Sequence, residues 1–111
     1  MTPEELLLKA ADEIARTGHC KGMYYTGGDE RTAAVCAYGA MARAASDGRT
    51  ADYFGELDGP GRALVRDAAA LLASEIYPFV SDPFHIITRF NDEDSTTGED
   101  VILAMKRAAH E

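Results

Sequence analysis

The sequence predicts an all-α fold, a compact single-domain bundle of four main helices with one or two short extra helices. Three observations carry that expectation. Apolar residues recur at three- and four-residue spacing over most of the chain. The periodic stretches open on Thr, Asp or Pro and close on Gly or Pro, the residues that start and stop helices. Finally, the run Cys36-Ala37-Tyr38-Gly39-Ala40 lies in a stretch that is apolar on nearly every helical face, so that protein must surround it. Glycine at mid-helix costs roughly 1 kcal/mol relative to alanine. Gly39 therefore marks a close approach, with the first or the last helix as the expected neighbour.

The elements follow in order. Thr2 is an N-cap, Pro3 suits the first helical position, and Glu5 completes a capping box. The first helix runs to about Arg16 with Leu7, Ala10, Ala11, Ile14 and Ala15 on one stripe, and Gly18 stops it. Residues 18–29 are glycine-rich and read as a loop, with a minor hairpin near residues 23–32 turning at Gly27-Gly28. Tyr24 and Tyr25 pin that loop to the core. Asp29 or Thr32 caps the second helix, which places Cys36 more than a turn inside it. Ser46-Asp47-Gly48 ends it after about Ala45.

Residues 50–57 allow a short helical turn. Asp58-Gly59-Pro60 opens the third helix, which reaches about Ile76 on a face of Val65, Ala68, Leu71 and Leu72. Pro78 forbids its continuation. Asp82-Pro83 repeats the cap-and-proline pattern before Phe84, Ile87 and Phe90, which share one face of a short helix; an extended run over residues 85–88 is the competing reading. Asn91 ends that helix in a left-handed conformation. After an acidic loop, Ser95, Thr96 or Thr97 caps the last helix. Glu99 and Asp100 suit its positive end, and Val101, Ile102, Met105 and Ala108 form its buried stripe.

The 111 residues make one domain, 1–111, long enough to bury roughly two-thirds of its unfolded surface. Nineteen acidic against eleven basic residues give a net charge of −8. That balance argues against direct nucleic-acid binding and against anionic membranes, and it permits a basic partner surface. The acidic start shows no signal-peptide pattern, and no apolar run approaches the roughly 20 residues of a membrane span. A cytoplasmic protein with two free thiols is expected.

Candidate chemistry is sparse. His19, Cys20, Cys36 and His85 have the residue types of a zinc site but lack its paired short spacings, so no metal and no cofactor are expected. Cys36, His85 and Asn91 match the types of a cysteine-hydrolase triad, although a thiol deep in an apolar helix has a raised pKa. The acidic run 91–94 fails the calcium-loop pattern, with Thr97 and Leu103 where Gly and Glu are required. Gly27-Gly28 lacks the surroundings of a phosphate loop. The aromatics Tyr24, Tyr25, Tyr53, Phe54, Phe79 and Phe84 lie between the main helices. They close the ends of the bundle, and any left exposed would anchor a partner.

Gly18-His19-Cys20-Lys21-Gly22, Cys36-Ala37-Tyr38-Gly39-Ala40, Phe90-Asn91-Asp92 and the Thr-led last helix form an ordered set of motifs. The chain in this respect resembles a family of small uncharacterised proteins of actinobacteria and their bacteriophages. That family's pattern is Gly-Trp-Cys-x-Gly, then Cys-x-x-Gly-Ala, then Trp-Asn-Asp. His19 and Phe90 stand here where the pattern has Trp. The resemblance implies a shared fold and source but no assigned activity. The shared residues have a physical reading: Asn91 and Asp92 bond backbone amides to hold the turn before the last helix, and Phe90 anchors it. A binding site built from Asn91, Asp92 and the 18–22 turn is the functional alternative.

The expected function is a small acidic non-enzymatic interaction module, phage-encoded and acting on a host or phage protein, as an inhibitor or nucleic-acid mimic in one version. Its candidate binding residues are Tyr24, Tyr25, Tyr53, Phe54, Asn91 and Asp92. The alternatives are a small enzyme using Cys36 or Cys20, and a homo-oligomeric structural component.

Overall fold

The computed structural model describes residues 1–53, 57–79 and 81–110. Phe54 lies outside them, as does part of the turn expected over residues 50–57; of the described residues there, Ala51 is a bend and Tyr53 a turn. The fold is all-α, with five helices among the described residues: α1 (Pro3–Thr17), α2 (Ala37–Ala45), α3 (Gly59–Ile76), α4 (Pro83–Asp92) and α5 (Gly98–His110). No strand occurs among those residues, only two isolated bridges at Val35.

Most boundaries follow from local capping. Thr2 and Glu5 close a reciprocal capping box on α1, and Gly18 sends its N–H back to Ile14. Asp58 caps α3 through Gly61 N, and Asp82 caps α4 through Phe84 N. Thr97 and Asp100 exchange side-chain and backbone bonds to open α5. Residues 85–88 are helical, which decides between the two readings of that segment.

The largest departure is the start of α2. It begins at Ala37, not near residues 29–32. Asp29 does accept from the N–H groups of Thr32 and Ala33, but this makes a single turn. The chain cannot continue as helix, because the backbone of residues 34–36 is bonded sideways. Val35 N–H donates to Gly18 O at 3.0 Å, and Val35 O accepts from Cys20 N–H at 3.0 Å. On the other side, Ala34 O accepts from Thr26 N–H, and Cys36 N–H donates to Tyr24 O at 3.1 Å. The expected hairpin is thus reduced to one antiparallel bridge, Tyr25 to Val35, enclosing residues 26–34.

Residues 37–44 of α2 are all buried, as an all-apolar helix requires. α1 packs on one side of it and α3 on another, while α5 lies along α1. Gly39 faces neither α1 nor α5. Its missing side chain makes room for the backbone of Tyr24, whose carbonyl carbon would lie 2.9 Å from a Cβ. Arg43, the one charged residue of α2, is 0% exposed and satisfied on every side.

Candidate functional site

The site is organised by Asn91. Helical spacing puts Phe84, Ile87 and Asn91 on one face of α4, turned toward the start of α2. Asn91 is 2% exposed, so each of its polar atoms needs a partner. Its Oδ1 accepts from Ala37 N–H at 2.9 Å and from His19 Nε2 at 2.8 Å. Its Nδ2 donates to Cys20 O at 3.1 Å and to Asp92 Oδ1 at 2.9 Å. Asp92 Oδ1 also accepts from Gly22 N–H at 2.9 Å. Because Oδ1 of Asn91 can only accept, His19 carries its proton on Nε2.

Asn91 and Asp92 therefore bond amides, as expected from their residue types, but not those before the last helix. They tie the 18–22 loop and the first amide of α2 to α4. Asn91 sits within α4 and does not terminate it in a left-handed conformation. Asp47 is the sole non-glycine residue with positive φ among the described residues.

Cys36 is the N-cap of α2, not an interior residue, and its Sγ accepts from Gly39 N–H at 3.3 Å. A helix N-terminus normally favours a thiolate. Here burial outweighs it and pushes the thiol up to about 11. The Gly39 and Tyr38 amides pull the other way, and Cys20 and Asp92 add to the rise. Cys20 is also buried, with Sγ donating at 3.5 Å to Met23 O and Ala34 O, and burial raises its pKa as well.

Between this network and α4 lies a pocket of about 240 Å³. Cys36, Tyr38, Ile87 and Asn91 are its buried lining, and Met23, Phe84 and Asp92 are its exposed rim. Met23 is 53% exposed and Phe84 40%. Tyr38 packs against Phe84 at 5.0 Å between ring centroids and against Tyr53 at 5.8 Å, edge to face. Burial and the nearby Tyr53 and Asp82 keep the Tyr38 phenol well above its ordinary pKa.

Of the residues singled out from sequence, Tyr24, Cys36, Phe84, Asn91 and Asp92 converge on this pocket. Tyr53 stands behind it against Tyr38, and Tyr25 is half-buried outside it. His85 lies in a separate depression with Tyr77, Arg89 and Phe90. The Cys36–His85–Asn91 triad is accordingly not assembled, and the imidazole on Asn91 is that of His19. Met23 carries no signal in the sequence, because nothing local distinguishes a loop methionine on a pocket rim from any other. Among the described residues no three of His, Cys, Asp and Glu converge as a metal group, and no helix is long and apolar enough to cross a membrane.

The buried thiol has two measurable consequences. Iodoacetamide labelling of Cys36 in the folded protein at pH 7 is expected to be about 100-fold slower than for an ordinary cysteine. The raised pKa also gives stability that is complete below the unfolded value near 9 and is lost as pH rises toward about 11. Between pH 8 and 10.5 this group alone should lower the unfolding free energy, measured by urea titration, by about 2 kcal/mol, the part of the fall that Cys36→Ser should remove. Rapid labelling at pH 7 would contradict the assignment.

The fold and pocket define a small all-α domain with an apolar recess between α2 and α4. The chain belongs to a family of unknown function, DUF6197, which matches it over residues 1–111. No curated protein and no solved structure matches it.

Proposed function

We propose that this chain is a non-enzymatic protein-interaction module that takes an anchor side chain of a partner into the pocket between α2 and α4. The observation that carries this reading is the pocket itself. At about 240 Å³ it is smaller than the roughly 300–1,000 Å³ of drug-sized ligand sites, and its rim exposes Met23 and Phe84. Exposed methionine and aromatic side chains beside a preformed recess are the usual anchor points of an interface. A cysteine nucleophile is not favoured, because the Cys36 thiol is held protonated and Asn91 is engaged on both sides.

The resemblance extends the proposal to an actinobacterial or phage source and a host or phage protein as partner, within the cytoplasm. It also offers a reason for one departure. An indole N–H in place of His19 would give Asn91 the same donor that His19 Nε2 supplies. A second reading, a homo-oligomeric component, draws on Tyr77 and Phe79, which are 5.2 Å apart between ring centroids and exposed, Phe79 to 68%. Light scattering at rising concentration decides it: an assembly that Phe79→Ser dissolves would favour it.

The interaction reading is tested by capture from actinobacterial lysate with the wild-type chain and with Met23→Glu, a change at an exposed rim position. A protein retained by the wild type and lost by the variant, at equal melting temperature, is the expected result. Equal retention by both, or no retained protein at any salt concentration, overturns it.

A further inference from the structure

We infer that the anchor received by the pocket is a cationic side chain, lysine or arginine, whose methylenes lie against the apolar lining and whose head group meets Asp92 and the aromatic rings. This rests on the interaction reading above and specifies its ligand.

Three features of the recess select a cation over a neutral anchor. Tyr24, Tyr38 and Phe84 all line it. Aromatic rings attract ammonium and guanidinium groups, and several around one recess are how alkylammonium groups are recognised. Secondly, the charge at the recess is of one sign. Asp92 lies on its exposed rim, and the field of Asp82 reaches Tyr38. No lysine or arginine is among the described lining residues. Lys21, next in sequence to Gly22, is turned away, its Nζ donating to the backbone carbonyls of Glu93 and Asp94. The whole chain adds a net −8 that draws basic partners.

Thirdly, polarity is graded through the pocket. Ile87 and Cys36 are buried in it, whereas Asp92 stands in solvent at the mouth. A lysine or arginine side chain has the same gradation, an apolar stem with a charged tip. Seated this way, the tip stays hydrated beside Asp92 and avoids the cost of burying a bare charge. An acidic anchor would meet Asp92 without a counter-charge. A neutral aliphatic anchor would fill the recess but leave the carboxylate and the rings unused. The start of α2 offers no competing anion site. Its first amide is taken by Asn91, and the Gly39 amide by Cys36 Sγ.

The test uses the whole chain and four probes: acetyl-Gly-Lys-Gly-amide, acetyl-Gly-Arg-Gly-amide, the uncharged analogue with norleucine at the centre, and choline. Amide resonances of Gly22, Ala37 and Thr88 are followed at low salt. The cationic peptides are expected to saturate these shifts at about tenfold lower concentration than the norleucine peptide. Raising the salt should narrow that ratio. Asp92→Asn retains the oxygen that accepts from Gly22 and Asn91, so the fold is kept while the ratio drops to about twofold. Norleucine binding equal to lysine, or an unchanged ratio in Asp92→Asn, overturns the cationic anchor but leaves the interaction reading, which the Met23→Glu capture decides separately. Choline binding more tightly than both cationic peptides overturns the assignment to a protein side chain in favour of a free organic cation. Shifts from none of the probes overturn the inference outright.

Discussion

Gly39→Ala is expected to destabilise the protein by about 3 kcal/mol, a fall in melting temperature of about 15 °C. A methyl group at this position would overlap the carbonyl oxygen of Tyr24, with its carbonyl carbon at 2.9 Å and Val35 Cβ at 3.3 Å. The carbonyl cannot simply retreat, because it accepts the N–H of Cys36 at the start of the same helix. Alanine's greater helix propensity, about 1 kcal/mol at most, opposes the clash without cancelling it. Gly27→Ala is the matched control. Gly27 has no positive φ and nothing within 4 Å of its Cβ position, so that change should be neutral or slightly stabilising. Because Tyr24 also lines the pocket, Gly39→Ala should weaken anchor binding as well as folding. Thermal melts of the two variants decide the matter; indistinguishable curves would refute the close approach at Gly39.

Arg43→Ala is expected to cost about 4 kcal/mol, read from urea midpoints. The guanidinium is fully buried and every arm is used. Nε donates to Glu13 Oε1 at 2.5 Å, Nη1 to the carbonyls of Glu30 and Ala33 at 3.0 and 2.8 Å, and Nη2 to Thr17 Oγ1. One side chain thus ties the end of α1, the 29–33 turn and α2 together. Its loss removes the donor that serves the carbonyls of Glu30 and Ala33 and leaves the Glu13 carboxylate with Arg16 alone, and an unmade bond costs more than a made one contributes. Arg43→Lys should recover less than half of the loss, since one ammonium cannot reproduce the planar fork. By contrast, the Arg16–Glu13 pair is more than half exposed at Arg16, and Arg16→Ala should change stability by less than about 1 kcal/mol. A loss at Arg43 no larger than that at Arg16 would show that the clamp contributes little.

How far the sequence could be read differed from residue to residue. The starts of α1, α3, α4 and α5 were legible because each rests on a cap whose partners are two or three residues away. The enclosure of residues 37–44 was legible from composition alone. The N-terminal boundary of α2 was not, because Asp29 supplies a valid cap, and only the lateral bonds of residues 34–36 stop the helix from starting there. From the sequence Cys36 therefore reads as an interior residue of the helix that it in fact caps. Gly39 reads as a close approach, but a missing Cβ signals proximity without saying to what, and its neighbours are Tyr24 and Val35.

The site divides in the same way. Asn91 and Asp92 stood out as polar residues able to bond amides, and Tyr24 as a loop aromatic. Which amides they bond depends on chain segments 54 and 70 positions distant. The amino-acid sequence by itself determined the class of fold, most helix ends and the burial of the α2 face, because capping and periodicity act within one or two helical turns. Tertiary structure alone decided where α2 begins, which histidine meets Asn91, what encloses Arg43, and that Met23, Tyr38, Phe84 and Asp92 share one pocket. Those outcomes rest on hydrogen bonds and packing between segments remote in the chain, whose pairing is settled only when the whole domain closes.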